Sequence, residues 1–127
     1  MKIGIIGGGF GVDGYLSAIS GMEEFEIKGV SDSGSGNILK KLSDSTLYCP
    51  SWKDLLDPSV EAVCVVTPPA VQKEIVGEFL LNKKHVLCEK PFGTSLKDAI
   101  GMYKKSGAAG TVNAVAFQYR FEPGFQL

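Results

Sequence analysis

Two kinds of hydrophobic pattern alternate along this chain. Dense apolar runs occupy residues 2–6 (KIGII), 61–66 (EAVCVV) and 85–88 (HVLC), while residues 25–30 (FEIKGV) alternate apolar with polar. Runs this short predict strands, and the near-continuous ones predict strands of a parallel sheet covered on both faces. Between them lie segments with apolar residues at helical spacing. Leu16 and Ile19 mark the first. Val71, Ile75, Val76, Phe79 and Leu80 mark the buried face of a second, opened by Pro69 and closed by Asn82-Lys83-Lys84. A third starts at a capping box, Ser95-Leu96-Lys97-Asp98, and runs to Gly107. Residues 37–42 predict a short helix and 46–49 a short strand. Residues 51–54 form another capping box, which Asp57-Pro58 ends, and residues 111–119 (TVNAVAFQY) predict the last strand. The alternation predicts an α/β fold: a doubly wound, mainly parallel six-stranded sheet with helices on both faces.

The junction after the first strand is Gly7-Gly8-Gly9-Phe10-Gly11. Strand, glycine turn and helix in succession are the context of a Rossmann-type dinucleotide-binding turn. Glycines admit backbone angles closed to other residues and remove side chains that would block a phosphate, and the helix presents its N–H groups to that phosphate. Taking the first glycine directly after the strand selects Gly7, Gly9 and Gly11. The literal GxGxxG at Gly9, Gly11 and Gly14 begins too late. The second strand ends at Ser31-Asp32-Ser33, and Asp32 lies about twenty residues past the turn, where a carboxylate accepts from the ribose 2′-hydroxyl of NAD. That carboxylate disfavours the 2′-phosphate of NADP, whereas Ser33, Ser35 and Lys40-Lys41 could donate to it. NAD is favoured and NADP stays open.

In an open α/β sheet, ligands bind beyond the carboxyl ends of the strands. Four segments fall there: the glycine turn, Asp32, Thr67-Pro68-Pro69 and Glu89-Lys90-Pro91. Pro91 restricts Lys90 to extended backbone, which aims its ammonium. A lysine so held at the nicotinamide end could take or give a proton as an alcohol carbon exchanges hydride with the cofactor.

Composition narrows the rest. The chain has 127 residues, 44% hydrophobic, and a formal net charge of −1. This offers no electrostatic basis for binding nucleic acid or an anionic membrane. No apolar run approaches the roughly 20 residues that span a bilayer, and no secretory signal precedes the first strand. Cys49, Cys64 and Cys88 are widely spaced and apolar in context, which predicts reduced core thiols, no metal site and a cytoplasmic protein. His85, the one histidine, opens a strand and reads as an ordinary strand-end residue.

These residues carry a resemblance. The segments GIIGGGFG at the start, VTPPAVQKEIV from Val66, HVLCEKPFGTSLKDA from His85 and VAFQYRFEP from Val115 resemble the nucleotide-binding domain of the glucose–fructose oxidoreductase / inositol dehydrogenase (Gfo/Idh/MocA) family. The resemblance implies an NAD(P)-dependent oxidoreductase acting on an alcohol or carbonyl of a sugar or cyclitol. It also implies that Gly7, Gly9, Phe10, Gly11, Asp32 and Ser33 hold the nucleotide, and that Thr67, Pro68 and Gln72 lie near the nicotinamide half. Glu89 and Lys90 are implied at the reacting centre, with Lys90 catalytic, Gln118 beside the cofactor and Arg120 at a domain junction. Family members often carry histidine where Gln72 and Tyr15 stand here. They are also longer, with a substrate domain that supplies further catalytic residues. Residues 1–120 are therefore expected to be an NAD(P)-binding domain and 121–127 the start of a missing C-terminal domain, leaving this chain inactive by itself. Val112, Val115, Phe117, Phe121 and Phe125 would then be bare, which predicts self-association into a homo-oligomer. Two other readings compete. A dinucleotide sensor or scaffold without catalysis would leave the aimed Lys90 without use, and a site for the nucleoside of S-adenosylmethionine would leave the TPP and EKP segments without one.

Overall fold

The computed structural model describes residues 1–32, 36–42, 44 and 47–125. Six strands, β1 (Lys2–Ile6), β2 (Glu26–Ser31), β3 (Tyr48–Cys49), β4 (Ala62–Val65), β5 (His85–Glu89) and β6 (Asn113–Ala116), form one sheet in the order β3-β2-β1-β4-β5-β6. Every neighbouring pair is parallel. The alternation of strand side chains divides the core into two layers. Ile6, Val63, Val65, Val86 and Cys88 face Leu55 and the helices α2 (Pro69–Leu81) and α3 (Leu96–Ala109) through Ile75, Val76, Phe79, Leu80 and Met102. On the opposite face Ile3, Ile5, Val30 and Cys64 pack under Val12, Ile38, Leu42, Leu16 and Ile19. The covering elements there are a π-helical segment, Gly11–Leu16, that runs into the short helix α1 (Ser17–Ile19), and a 3-10 turn at Asn37–Lys40. The doubly wound architecture is thus the expected one, with a sheet that is parallel throughout.

Several local expectations change. Val71 is 43% exposed, and its neighbour Gln72 is completely buried. The inward face of α2 runs Gln72, Ile75, Val76, Phe79, Leu80, the i, i+3, i+4, i+7, i+8 pattern, with its first position filled by a polar residue that a hydrophobicity reading passes over. Helix α3 continues through Gly107 and ends at Gly110, which takes the left-handed conformation (φ 69°) that suits glycine. Ser51 and Asp54 form both halves of their capping box, over a 3-10 turn, Trp52–Leu56. The last strand stops at Ala116, because its partner β5 ends opposite it at Glu89. Beyond, the Phe117 N–H turns back to the Val115 carbonyl (2.9 Å), and Gln118–Phe121 coil into a 3-10 turn instead of extending. Among the described residues no helix is long and apolar enough to cross a membrane. None of the three cysteines is in a disulfide, and burial pushes the Cys64 and Cys88 thiols up to about 12.

Asp98 ties the first turn of α3 to α2. The Lys73 ammonium lies 2.8 Å from its Oδ1, and the Thr94 hydroxyl donates to its Oδ2 at 2.8 Å. Its own N–H donates to Ser95 Oγ. Lys73 first, then Thr94 and Ser95, hold the carboxyl down at about 2 from an ordinary 3.8. A carboxylate whose folded pKa is depressed stabilises the fold above its unfolded pKa and loses that contribution as pH falls through the folded one. Asp98→Asn is therefore expected to lower the urea midpoint at pH 6, and its gap to the unsubstituted chain should shrink steadily from pH 4 toward pH 2. A gap independent of pH would show that the charge on Asp98 contributes nothing.

Candidate functional site

The strand order reverses between β1 and β4, so a crevice opens at their carboxyl ends. Gly7 makes it. Its φ is +135°, and a Cβ there would stand 2.0 Å from the Val66 carbonyl oxygen, so both conformation and space demand glycine. The Gly7 N–H donates to the Ser31 carbonyl and the Val66 N–H to the Ile6 carbonyl, each at 2.7 Å, which fastens the turn to the strands on either side. At Gly11 a Cβ would meet Ile5 Cγ2 at 3.3 Å, so this glycine lets the helical segment sit close on the sheet. Around the Cβ position of Gly9 no protein atom lies within 4 Å. The missing side chain there leaves room for something outside the protein. Gly14 lies under the Phe10 ring, a packing position. The turn thus distributes three distinct roles over Gly7, Gly9 and Gly11, the register favoured above. The Val12 and Asp13 N–H groups both close on the Gly9 carbonyl, which starts the helical segment immediately behind the turn.

Two cavities meet over this turn. The larger, about 830 Å³, runs from Gly7, Gly8, Gly9 and Asp32 past Ile38 to Ser51, Trp52 and Val71. The smaller, about 370 Å³, lies between Phe10, Glu89, Lys90, Gln118 and Tyr119. Phe10, Val66 and Thr67 belong to both walls, so the two form one elongated site. Asp32 stands beside the turn, its Cβ 3.0 Å from where a Gly8 Cβ would be. Thr67 Oγ1 is buried and has no hydrogen-bond partner among the described residues. A polar atom in that state is normally satisfied by water or a ligand. Together with the open space at Gly9, it fits a polar cofactor laid along the rim.

Glu89 organises the smaller cavity. It is 7% exposed at the end of β5. Its Oε1 accepts from the Tyr15 hydroxyl at 2.9 Å, and its Oε2 accepts from the Lys90 N–H at 2.9 Å. Assigned from its surroundings, the Gln118 amide nitrogen donates to Glu89 Oε1 (3.3 Å) and to the Ala116 carbonyl (2.8 Å). The Tyr15 ring also meets Phe10 edge-on, centroids 5.6 Å apart. Burial, reinforced by the Glu89 carboxylate, raises the pKa of the Tyr15 phenol well above its ordinary value. Lys90 is exposed at the cavity wall, and its bond to Pro91 is cis.

Most of the residues singled out from sequence converge here. Gly7, Gly9, Phe10, Asp32, Thr67 and Pro68 line the larger cavity, and Glu89, Lys90 and Gln118 the smaller. Gln72 does not. Its completely buried side chain has no surface to offer a cofactor; it donates to the Thr67 and Glu89 carbonyls and accepts from the Gly93 N–H. Ser33 and Ser35 lie outside the described residues. Lys41 is paired with Asp13 at 2.9 Å. His85 sits at the amino end of β5, away from the rim, where its Nδ1 accepts from the Val112 N–H. Arg120 lies over the Phe121 ring. Sequence reading missed Ile38, Ser51, Trp52 and Val71 as walls. Trp52, the single tryptophan, offered a signal, because a large aromatic directly behind a capping Ser is placed by that cap.

The glycine roles separate cleanly by substitution. Gly7→Ala is expected to cost more than about 2 kcal/mol of stability, because strained backbone and a backbone clash coincide. Gly9→Ala should leave the urea midpoint within about 0.5 kcal/mol of the parent and weaken NADH binding about tenfold or more. Equal stability loss in the two variants would overturn these assignments.

Comparison with known proteins agrees with this geometry. Residues 1–117 match the oxidoreductase family described as NAD-binding Rossmann fold, Gfo/Idh/MocA. The chain is 32% identical over 127 residues to the oxidoreductase YrbE of Bacillus subtilis, covering 97% of this chain and 37% of YrbE. It is 28% identical to scyllo-inositol 2-dehydrogenase (NADP(+)) IolU of the same organism, covering 99% of this chain and 39% of IolU. The crystal structure of a probable dehydrogenase from Thermotoga maritima superposes with a TM-score of 0.87 at 27% identity, over 99% of this chain and 39% of that one. The chain thus spans well under half the length of these relatives. With the glycine turn, the TPP corner and the EKP corner all inside the matched region, this chain belongs to the Gfo/Idh/MocA oxidoreductase family, over its NAD-binding Rossmann fold.

Proposed function

We propose that this chain binds NAD(H) along the rim and forms the cofactor half of an enzyme that moves hydride between a nicotinamide and an alcohol or carbonyl carbon of a sugar- or cyclitol-like substrate. The observation that carries the reading is the continuity of the two cavities. The open cradle at Gly9 and the Lys90 corner share Phe10, Val66 and Thr67 as walls. A ligand long enough to touch both is what such a groove accommodates. IolU, whose name states an inositol substrate and an NADP(+) cofactor, supports the substrate class and keeps the phosphorylated cofactor in view.

In this reading the pyrophosphate lies over Gly9 and Phe10, and Asp32 accepts from the adenosine ribose hydroxyls. Thr67, a wall of both cavities, lies beside the middle of the ligand. The bound nicotinamide supplies the hydride-accepting carbon. Lys90 lies at the substrate side of the smaller cavity, where its ammonium can hold the substrate oxygen and carry the proton that leaves or joins it. Glu89 accepts from the Lys90 backbone N–H and so fixes where that side chain begins. A binding module without chemistry would use the glycine turn and Asp32 but would give Lys90 no task. The free cysteines support a cytoplasmic setting. Exposed Val112, Phe117, Phe121 and Phe125 support association with further copies of the chain.

Titration with NADH and NADPH, followed by quenching of Trp52 at the groove wall, tests this directly. Saturable NADH binding, about tenfold or more tighter than NADPH, is expected, and Asp32→Ala should narrow that ratio. A preference for NADPH would reassign the ribose end to donors other than Asp32. Binding of neither would refute the cofactor site.

A further inference from the structure

The parallel pairing of β4 with β5 ends at Val65 opposite Cys88. One residue further along β5, and two along the β4 strand, the chains diverge into the two corners that frame the smaller cavity, Thr67-Pro68 and Glu89-Lys90. No backbone hydrogen bond joins Thr67 to Glu89. Gln72 fills the fork. Its amide nitrogen donates one hydrogen to the Thr67 carbonyl (3.2 Å) and the other to the Glu89 carbonyl (2.9 Å). Its amide oxygen accepts from the Gly93 N–H at 2.8 Å. Every hydrogen-bonding function facing the fork is thereby used, inside a side chain with no exposed surface.

The demand is specific. Two diverging carbonyls and one N–H are all paired at once by a group with two donors and one acceptor on a single rigid plane, which a primary amide supplies. A neutral imidazole offers one donor and one acceptor, a carboxylate no donor, and an aliphatic chain neither. Leaving these backbone groups unpaired in a buried site is costly, so the corners would move to find other partners.

We propose, resting on the cofactor reading above, that Gln72 is a positioning residue that fixes the spacing between the Thr67 and Glu89-Lys90 corners, and with it the fit of the nicotinamide half of the ligand. It touches neither ligand nor reacting atoms. The adenosine half, held by the glycine turn and Asp32 on the far side of Phe10, does not depend on it.

The test compares NADH with ADP-ribose, which carries the adenosine half and pyrophosphate without nicotinamide, on the 127-residue chain and its Gln72→Met and Gln72→His variants. Gln72→Met is expected to lose NADH affinity by about tenfold while ADP-ribose affinity changes less than about twofold. Gln72→His, restoring one donor and one acceptor, should recover part of the loss. Hydrogen exchange at the Gly93 amide should accelerate in Gln72→Met. In the unsubstituted chain NADH should slow that exchange more than ADP-ribose does, an arm that stands even where Gln72→Met fails to fold. Parallel loss of both ligands in Gln72→Met, or equal protection of Gly93 by both in the parent chain, overturns the proposal by making Gln72 a general packing residue. Failure of the parent chain to bind either ligand overturns the cofactor reading itself, and the positioning role with it.

Discussion

The close approach of the Gly7 backbone to the Val66 carbonyl sets the geometry of the whole rim. With 2.0 Å between that oxygen and the place a Cβ would occupy, the turn after β1 can lie against the end of β4. That seat is then secured by the Gly7 and Val66 N–H groups, which bond across to β2 and β1. A side chain at Gly7 would lift the turn, and the helical segment Gly11–Leu16 behind it would no longer point at the crevice. Parallel strands contribute the rest. Because all six run the same way, their carboxyl ends, and the loops that carry polar and charged groups, gather on one edge.

A second constraint acts at the other end of the site. Glu89 is a mostly buried carboxylate, and such a group persists only with its lone pairs occupied. Tyr15, Gln118 and the adjacent Lys90 backbone occupy them, drawing the segment after β1 and the segment after β6 onto the end of β5. The same contacts leave the Lys90 side chain at the cavity wall. The smaller cavity is therefore framed by a carboxyl group bonded to Tyr15, Gln118 and the Lys90 backbone, while Thr67 Oγ1 has no hydrogen-bond partner among the described residues.

The strands, helices α2 and α3, the parallel α/β class and the glycine register were legible from local chemistry: apolar runs too short for helices, Pro69 at a helix start, Ser95 as a cap, three glycines behind a strand. Asp32, Thr67, Pro68, Glu89 and Lys90 were legible as candidate rim residues because each sits where a parallel strand ends or just beyond, whereas Gln118 entered through the family resemblance alone. Errors arose where a residue's neighbours come from elsewhere in the chain. Val71 reads as core and Gln72 as a ligand contact. The fork between β4 and β5 reverses them, because the Gln72 amide, with its donors and acceptor, pairs three backbone groups there. The final strand ends three residues before the close of the predicted stretch 111–119, since β5 offers no partner beyond Glu89.

What the sequence determined by itself is whatever depends on contacts within a few residues: the order and type of the elements, the need for glycine at the first turn, and the two capping serines. Tertiary structure alone decided which side chains share a wall. Tyr15 and Glu89 are 74 positions apart, and Gln72 and Gly93 are 21 apart. Their hydrogen bonds exist because the sheet brings β1, β4 and β5 side by side and buries polar groups that must then be paired. Local pattern carries no record of such pairings, because burial is a property of the assembled layers and not of any one segment.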